Sequence, residues 1–447
     1  MAKQRQRYIC SNCGAQHAAW AGRCSNCGEW NTLQEEPEIV VSGGQISSGK
    51  ALSPVVSSKL TVNDKQARIP TLISDVDDVL GGGFVPGSII LIAGQPGIGK
   101  STLLLQVATN LSKSRSVLYV SGEESAHQVG LRARRLGIAG SKLNIATSTS
   151  ADDIAATIAS SKYDVVFVDS IQTMSVGAVS SAAGSVSQIT NSTHLIMNAG
   201  KQSNTAVILV GHVTKEGAIA GPKILEHVVD VVLNLEGDRY GGFKLLRSVK
   251  NRFGSTNEAG IFEMKNEGMV QVENPSASLL AERQVSDGSV VLATMEGTRP
   301  MLVEVQALVN KTSYGYPKRA ASGMDLNRVN LLIAMLERRT KLNLGEQDIY
   351  INIVGGIKIT EPAADLAVCM AIGSAAKGLQ LKDNAVVFGE VGLSGEVRRV
   401  NFAEKRIAEA KKLGFDAIIG PKSTDKPSKI LKPVTNIKDA LNLYLKK

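Results

Sequence analysis

The sequence predicts an α/β protein built on a doubly wound, mostly parallel sheet, with a small metal-binding head before it and a second α/β domain after it. Three observations carry that expectation. Short continuous runs of Val, Ile and Leu (SIILIAG, SVLYVSG, DVVFVDS, TAVILVGH, VVDVVLNL, then FKLLRSVKN) recur between residues 66 and 275. Helical patterns separate them, and strands buried on both faces in a parallel sheet have this composition. A glycine-rich turn, GQPGIGKS, joins the first run to the helix-like TLLLQVATNLSK. Four of the five cysteines fall within the first 27 residues, as two C-x-x-C pairs.

Composition sets the frame. At 447 residues the chain has room for two or three domains with sizeable cores. Its 43% apolar and 20% charged residues are ordinary for a globular protein, and a net charge of +9 favours an anionic partner such as nucleic acid. No apolar run approaches the roughly 18 residues of a membrane span. The N-terminal MAKQRQRYIC has no apolar stretch that would make it a signal peptide. A cytoplasmic protein with no membrane partner is expected.

The chain divides into four pieces: a Cys-rich head at 1–30, a Ser/Gly/Pro-rich linker at 31–65, the α/β core at 66–275, and a second α/β region at 276–447 beyond NPSASLLAER. In the head, Cys10-x-x-Cys13 and Cys24-x-x-Cys27 offer four thiolates to one tetrahedral Zn²⁺ with no open position, the pattern of a structural zinc site. A redox dithiol pair is the alternative.

In the core, Gly94, Gln95, Pro96, Gly97, Ile98, Gly99, Lys100 and Ser101, followed by Thr102, read as a phosphate-binding loop between strand and helix. Backbone N–H groups converge on the phosphates of ATP, Lys100 reaches the outer oxygens, and Ser101 ligates Mg²⁺. Asp169, ending the buried run DVVFVD, is the second Mg²⁺-side carboxylate. Glu123, after VLYVSG, is assigned to polarise the attacking water, with Glu124 the alternative. Lys250 and Arg252 in VKNRFGS alternate along a strand and so share a face. Taken alone, that face is solvent.

This core resembles the RecA-like motors. The order of zinc knuckles, phosphate loop, KNRFG and a Lon-like C-terminal region is similar to the bacterial RadA/Sms DNA repair family over essentially the whole chain. The resemblance implies a homo-hexamer with ATP between subunits, in which Lys250 and Arg252 reach the γ-phosphate of the neighbour's nucleotide. Lys250 could serve DNA coupling instead. It further implies that segments 175–188 and 212–230, the second carrying Lys215 and Lys223, line a channel for single-stranded DNA, with His212 either sensing the γ-phosphate or a plain loop residue. The first of these segments is expected to be mobile.

The C-terminal region resembles Lon-type proteases but departs from them at Glu361-Pro362-Ala363-Ala364-Asp365, where Ala363 stands in place of the nucleophilic serine. Glu404 falls at the partner lysine's position, with Lys405 adjacent. A Ser–Lys dyad needs an attacking oxygen, so proteolysis is not expected. Lys311, Lys318 and Arg319 are candidate contacts to duplex DNA.

The expected function is that of a DNA-dependent ATPase and helicase that acts on single-stranded and branched DNA, migrates recombination intermediates and partners a recombinase of the RecA type. An ATP-dependent protease or peptide-remodelling machine, or a nucleotide-switched assembly protein without motor activity, are the alternatives.

Overall fold

The Val/Ile/Leu runs become the middle of a nine-stranded sheet. Across it the strands run Gly268–Gln271, Ala259–Lys265, Phe243–Asn251, Val231–Gly237, Ile89–Gly94, Ala206–Val210, Val165–Asp169, Val117–Ser121 and Asn144–Thr147. The six from Val231–Gly237 onward are parallel, and the first three are added antiparallel. The strands 89–94, 117–121, 165–169 and 206–210 are buried at every position, because helices cover both faces. One core lies on each face, and each fully buried Val, Ile or Leu contributes about 1.5–3 kcal/mol to holding the layers. The edge strand Asn144–Thr147 has no fully buried residue, so no apolar run marks it in the sequence.

This structure, a computed structural model, describes residues 8–10, 16–17, 19–26, 28–35, 38–40, 46–48, 68–138, 140–212, 224–237, 242–313, 315–381, 384–422 and 428–446. They fall into two compact units, Met1–Asn63 and Asp64–Lys447. In the first, strands Gln16–His17, Tyr8–Cys10 and Leu33–Glu35 form a small antiparallel sheet around Cys24 and Leu33. The second unit holds the nine-stranded sheet and a seven-stranded mixed sheet. The order in the latter is Arg319–Ser322, Gln347–Ile353, Arg299–Lys311, Ser289–Glu296, Ala385–Val387, Ala417–Gly420, Leu431–Pro433.

Helix Pro275–Leu280, capped by the Asn274 side chain, opens this C-terminal region. Its core also takes in Leu245 and Ile261 from the antiparallel strands of the first sheet, so the two sheets share apolar packing. No helix among the described residues is long and apolar enough to cross a membrane.

Connectivity decides where a ligand can sit. From Gly94 the chain passes through helix Lys100–Leu111 and re-enters the sheet at Val117–Ser121, three places away. Two later strands, Ala206–Val210 and Val165–Asp169, fill the gap. The carboxyl ends of Ile89–Gly94 and its neighbours therefore open onto a crevice, the usual ligand position in a doubly wound sheet.

A candidate nucleotide site with a basic pair at the far end of its strand

Helix Lys100–Leu111 begins on Gly99, which has no side chain to bond the first N–H groups. The three α-helices that follow start on Ser125, Ser150 and Ser185, and each of those hydroxyls accepts an amide of its own first turn. The first helix alone among these four leaves its N-terminal donors for an outside acceptor, and an anion suits them. Gly99 holds φ +115°, and a Cβ there would stand 2.6 Å from Met264 Cε. Glycine is the residue this turn can accept.

Lys100 is buried, and its Nζ donates to the carbonyls of Gly94 (2.9 Å) and Gln95 (3.1 Å). Burial lowers its pKa to about 8, against the opposing pull of the Asp169 and Glu123 carboxylates. Nζ also lies 3.2 Å from His212 Nδ1, and His212 Nε2 is 3.4 Å from Glu123 Oε1. Glu123 in turn accepts the Ser170 hydroxyl. Lys100, His212, Glu123 and Ser170 thus form one polar chain across four strand ends, joined by Asp169 through its charge. Asp169 accepts the Tyr119 hydroxyl at 2.6 Å. Burial, then Asp169, push that phenol well above its ordinary pKa, so it stays a neutral donor.

The two adjacent glutamates have different surroundings. Glu123 faces His212 and Ser170, whereas Glu124 is ion-paired to Arg132 on helix Ala126–Arg135. Gln95, Pro96 and Gly97 stand exposed at the crown of the loop, Ile98 is buried, and Ser101 and Thr102 are half-buried in the first helical turn. Tyr119, Ser170 and Arg132 escaped the sequence reading. The one available signal was a phenol inside the otherwise apolar run VLYV.

Lys250 and Arg252 do not join this cluster. Asn251 pairs with Val231, Val231 with Ile90, and Leu235 with Gly94. The basic pair therefore sits level with the start of the Ile89–Gly94 strand, about 15 Å along it from the phosphate loop at a rise of about 3.3 Å per residue. There Lys250 Nζ donates to the carbonyls of Glu226 (2.7 Å), His227 (3.2 Å) and Val229 (2.7 Å), closing the end of helix Ile224–Val228. Arg252 pairs with Asp230 at 3.1 Å, with its side chain half exposed. Asn251 reaches Leu80 O on the other side, so the strand alternation is kept.

Other expected sites fare differently. Lys311 and Arg319 pair with Gln347 and Ile349 on either side of one strand, and the Lys318 amide bonds Asp348 at 2.7 Å. The three cations thus gather at one end of the C-terminal sheet. Lys215 and Lys223 lie outside the described residues, as do Cys13 and Cys27. Cys10 is described as backbone, paired with Leu33. Cys24 is buried, 3.4 Å from His17 Nε2, in a turn closed by Gly28 N to Cys24 O at 2.9 Å. That turn is what a thiolate knuckle for Zn²⁺ requires. Among the described residues no group of three or more candidate ligands assembles.

Segment 175–188, expected to be mobile, is pinned by side chains. Gln188 donates to Val179 O (2.8 Å) and Ser181 O (2.9 Å) and accepts Val176 N (2.9 Å). In the C-terminal domain Ala363 is buried, and Glu404 is exposed. Beside Ala363, Glu361 is gripped by Arg406 through both carboxylate oxygens (2.9 and 2.6 Å) and by the Thr294 hydroxyl at 2.6 Å.

Three family models match the chain: an AAA domain over residues 56–218, a rubredoxin metal binding domain over 8–35, and subunit ChlI of Mg-chelatase over 315–424. DNA repair protein RadA of Bacillus subtilis is 46% identical over 100% of both chains. The RadA proteins of Listeria monocytogenes (47%, covering 97% of this chain and 95% of that one) and Brucella abortus (48%, 93% and 91%) are similar to it as well. The chain belongs to the RadA family of DNA repair proteins. Its RecA-like core thereby carries a phosphate-loop ATPase site, its head a zinc ribbon, and its C-terminal region a Lon-like α/β fold. Among solved structures, the RadB recombinase overlaps 45% of this RadA-family chain and 99% of its own, at 23% identity and a TM-score of 0.36.

Proposed function

We propose that this RadA-family ATPase is a ring-forming DNA motor that moves on single-stranded DNA and migrates branched recombination intermediates. In this reading the core at 66–275 is the motor, the head at 1–30 is held by Zn²⁺ on Cys10, Cys13, Cys24 and Cys27 and takes Leu33–Glu35 as a third strand of its sheet, the rest of the stretch 31–65 links them, and the region 276–447 is a scaffold without proteolysis. ATP lies on the 94–102 loop with Lys100 on its outer phosphates. Ser101 and Asp169 hold Mg²⁺, which neutralises the charge that develops in phosphoryl transfer. Glu123 takes the proton of the attacking water, with His212 reporting between it and Lys100. Glu124 is committed to Arg132 and unsuited to that role.

The observation that carries the reading is the position of Lys250 and Arg252, remote from their own phosphate loop along the strand. A basic pair there has no reach to its own nucleotide and suits the nucleotide of an adjoining copy. Hydrolysis then depends on assembly, and each firing changes a subunit boundary. Lys311, Lys318 and Arg319, gathered at one end of the C-terminal sheet, suit duplex phosphates, whereas Lys215 and Lys223 are assigned to the single strand. A RecA-type recombinase is the natural partner of such a motor. The absence of an attacking oxygen at Ala363, and the engagement of Glu361 by Arg406, disfavour a protease.

The test is ATP turnover and strand displacement on forked DNA, with particles imaged in an ATP analogue. The reading expects turnover to rise several-fold with single-stranded DNA, strands to separate directionally, and rings with a neighbour's Arg252 at each triphosphate. DNA-independent turnover by single protomers would refute it.

A further inference from the structure

The C-terminal domain reaches into the core through one tight turn. Strands Ser289–Glu296 and Arg299–Lys311 pair through to Glu296 opposite Arg299, leaving Gly297 and Thr298 as the two turn residues. All four positions engage the core. Arg247, on the strand that carries Lys250, grips Glu296 through two nitrogens, one at 2.7 Å. Gly297, at φ +61°, lies so close to the Asn257 carbonyl that a Cβ would stand 1.9 Å from it. The Thr298 hydroxyl donates to Glu258 at 2.7 Å. Arg299 bonds Asp75 at 3.0 Å and the carbonyls of Val272 (2.9 Å) and Glu273 (3.0 Å). Lys405, beside the position matched to the Lon lysine, holds the Thr298 carbonyl at 3.0 Å.

Asn257 and Glu258 close the loop that begins with Arg252. At its start the loop is tied down by Arg252 N to Asp230 O (3.2 Å), Asn251 to Leu80 O (3.3 Å), and Arg68 to Phe253 O. Its far end meets the turn 297–298. A loop gripped at both ends has few conformations left, and a cation carried on it arrives pre-placed. The charged residues flanking the turn are themselves fixed, Glu296 by Arg247 and Arg299 by Asp75, which also accepts Ile261 N at 2.8 Å. The turn is therefore a rigid abutment.

We propose that the Gly297–Thr298 turn is a positioning element for Arg252, through which the Lon-like domain sets the rate of ATP hydrolysis in the adjoining subunit. This rests on the reading of Arg252 as a residue acting on a neighbour's nucleotide. Thr298 touches no reacting atom and acts through Glu258 and the loop.

The experiment compares Thr298→Val, Thr298→Ser, Arg252→Ala and the Thr298→Val/Arg252→Ala double variant as full chains, with ATP and a single-stranded oligonucleotide. Misplacing a reacting group by about 1 Å costs up to about 10²-fold. Thr298→Val is expected to lower kcat about tenfold with KM for ATP unchanged, and Thr298→Ser, which keeps the hydroxyl, to restore it. In the Arg252→Ala background Thr298→Val is expected to cause no further loss, because residues acting as one unit are not additive. Normal kcat in Thr298→Val while Arg252→Ala is slow, or an equal loss in both backgrounds, overturns the positioning role alone. A normal kcat in Arg252→Ala overturns the neighbour reading and this inference with it.

Discussion

Asp230 binds Arg252 with one carboxylate oxygen at 3.1 Å and the amide of Ile89 with the other at 3.1 Å. One buried carboxylate thus ties the basic residue to the first residue of the strand that ends, at Gly94, in the phosphate loop. Lys201 approaches the same oxygen as Arg252, at 3.5 Å. Anything that pulls Arg252 toward a neighbour's phosphate loosens a contact at the root of the subunit's own nucleotide strand.

Arg252→Ala should cut DNA-stimulated turnover about 10³-fold while leaving ATP affinity near normal, as expected for a cation that acts on developing charge. Mixing it with Lys100→Ala protein is the sharper assay. A Lys100→Ala subunit still has its Arg252 to lend, so mixed assemblies should turn over faster than either variant by itself. No recovery on mixing would contradict action across the boundary.

Glu123→Gln should reduce turnover about 10²- to 10⁴-fold with nucleotide binding retained, the usual loss for a general base. Glu124→Gln should remove a pairing with Arg132 and leave turnover within about threefold, since a partly exposed ion pair is worth little. Single-turnover hydrolysis and nucleotide binding, measured together, distinguish the two. The assignment fails if the Glu124 variant is the inactive one.

The pH dependence of nucleotide affinity follows from Lys100. Its pKa in the free protein is lowered to about 8, and only the protonated amine attracts phosphate. Affinity should therefore hold below pH 8 and fall toward tenfold per unit above it, with proton uptake on binding in that range. Folding responds in the opposite sense. The unfolded chain, with an ordinary lysine, binds the proton more tightly, so this group's penalty on the native state fades as pH rises through about 8. Calorimetric titrations at pH 7 and 9 in two buffers of different ionisation enthalpy check the first statement. An unchanged Kd would contradict it.

Arg406→Ala should lower the unfolding free energy by about 3–5 kcal/mol, because it strands the Glu361 carboxylate without its cation. Replacing both, Glu361→Leu with Arg406→Met, should recover most of the loss. Burial by itself would raise the Glu361 pKa, but hydrogen bonds and charge from Arg406, then Thr294 and Met295 N, bring it below its ordinary 4.5. The pair's contribution is thus present above pH 4.5 and lost as pH falls below it. Urea unfolding of the three proteins at neutral and acid pH reads both effects.

Much of the molecule is legible in its sequence. The loop from Gly94 to Thr102 announces itself because its conformation depends on neighbours in the chain: glycine where no Cβ fits, an uncapped helix start, and an apolar strand before it. Asp169 could be read as the last residue of a buried run. The cysteine pairs and the alanine at position 363 are likewise local signals. Asn144–Thr147 was silent because an edge strand with exposed side chains leaves no apolar pattern.

What spacing determined, then, was the inventory of chemical groups and the type of element carrying each one, since both follow from backbone geometry over a few residues. Only the tertiary structure decided the partnerships. It separated Glu123 from Glu124, set Tyr119 on Asp169, joined Glu361 to Arg406, and moved Arg252 to the opposite end of its neighbour strand from Lys100. Apart from Glu124 and Arg132, eight positions apart, those pairings join residues 45 to 89 positions apart, chosen by sheet order and by the need of each buried polar or charged group for a partner, and no local pattern encodes that choice.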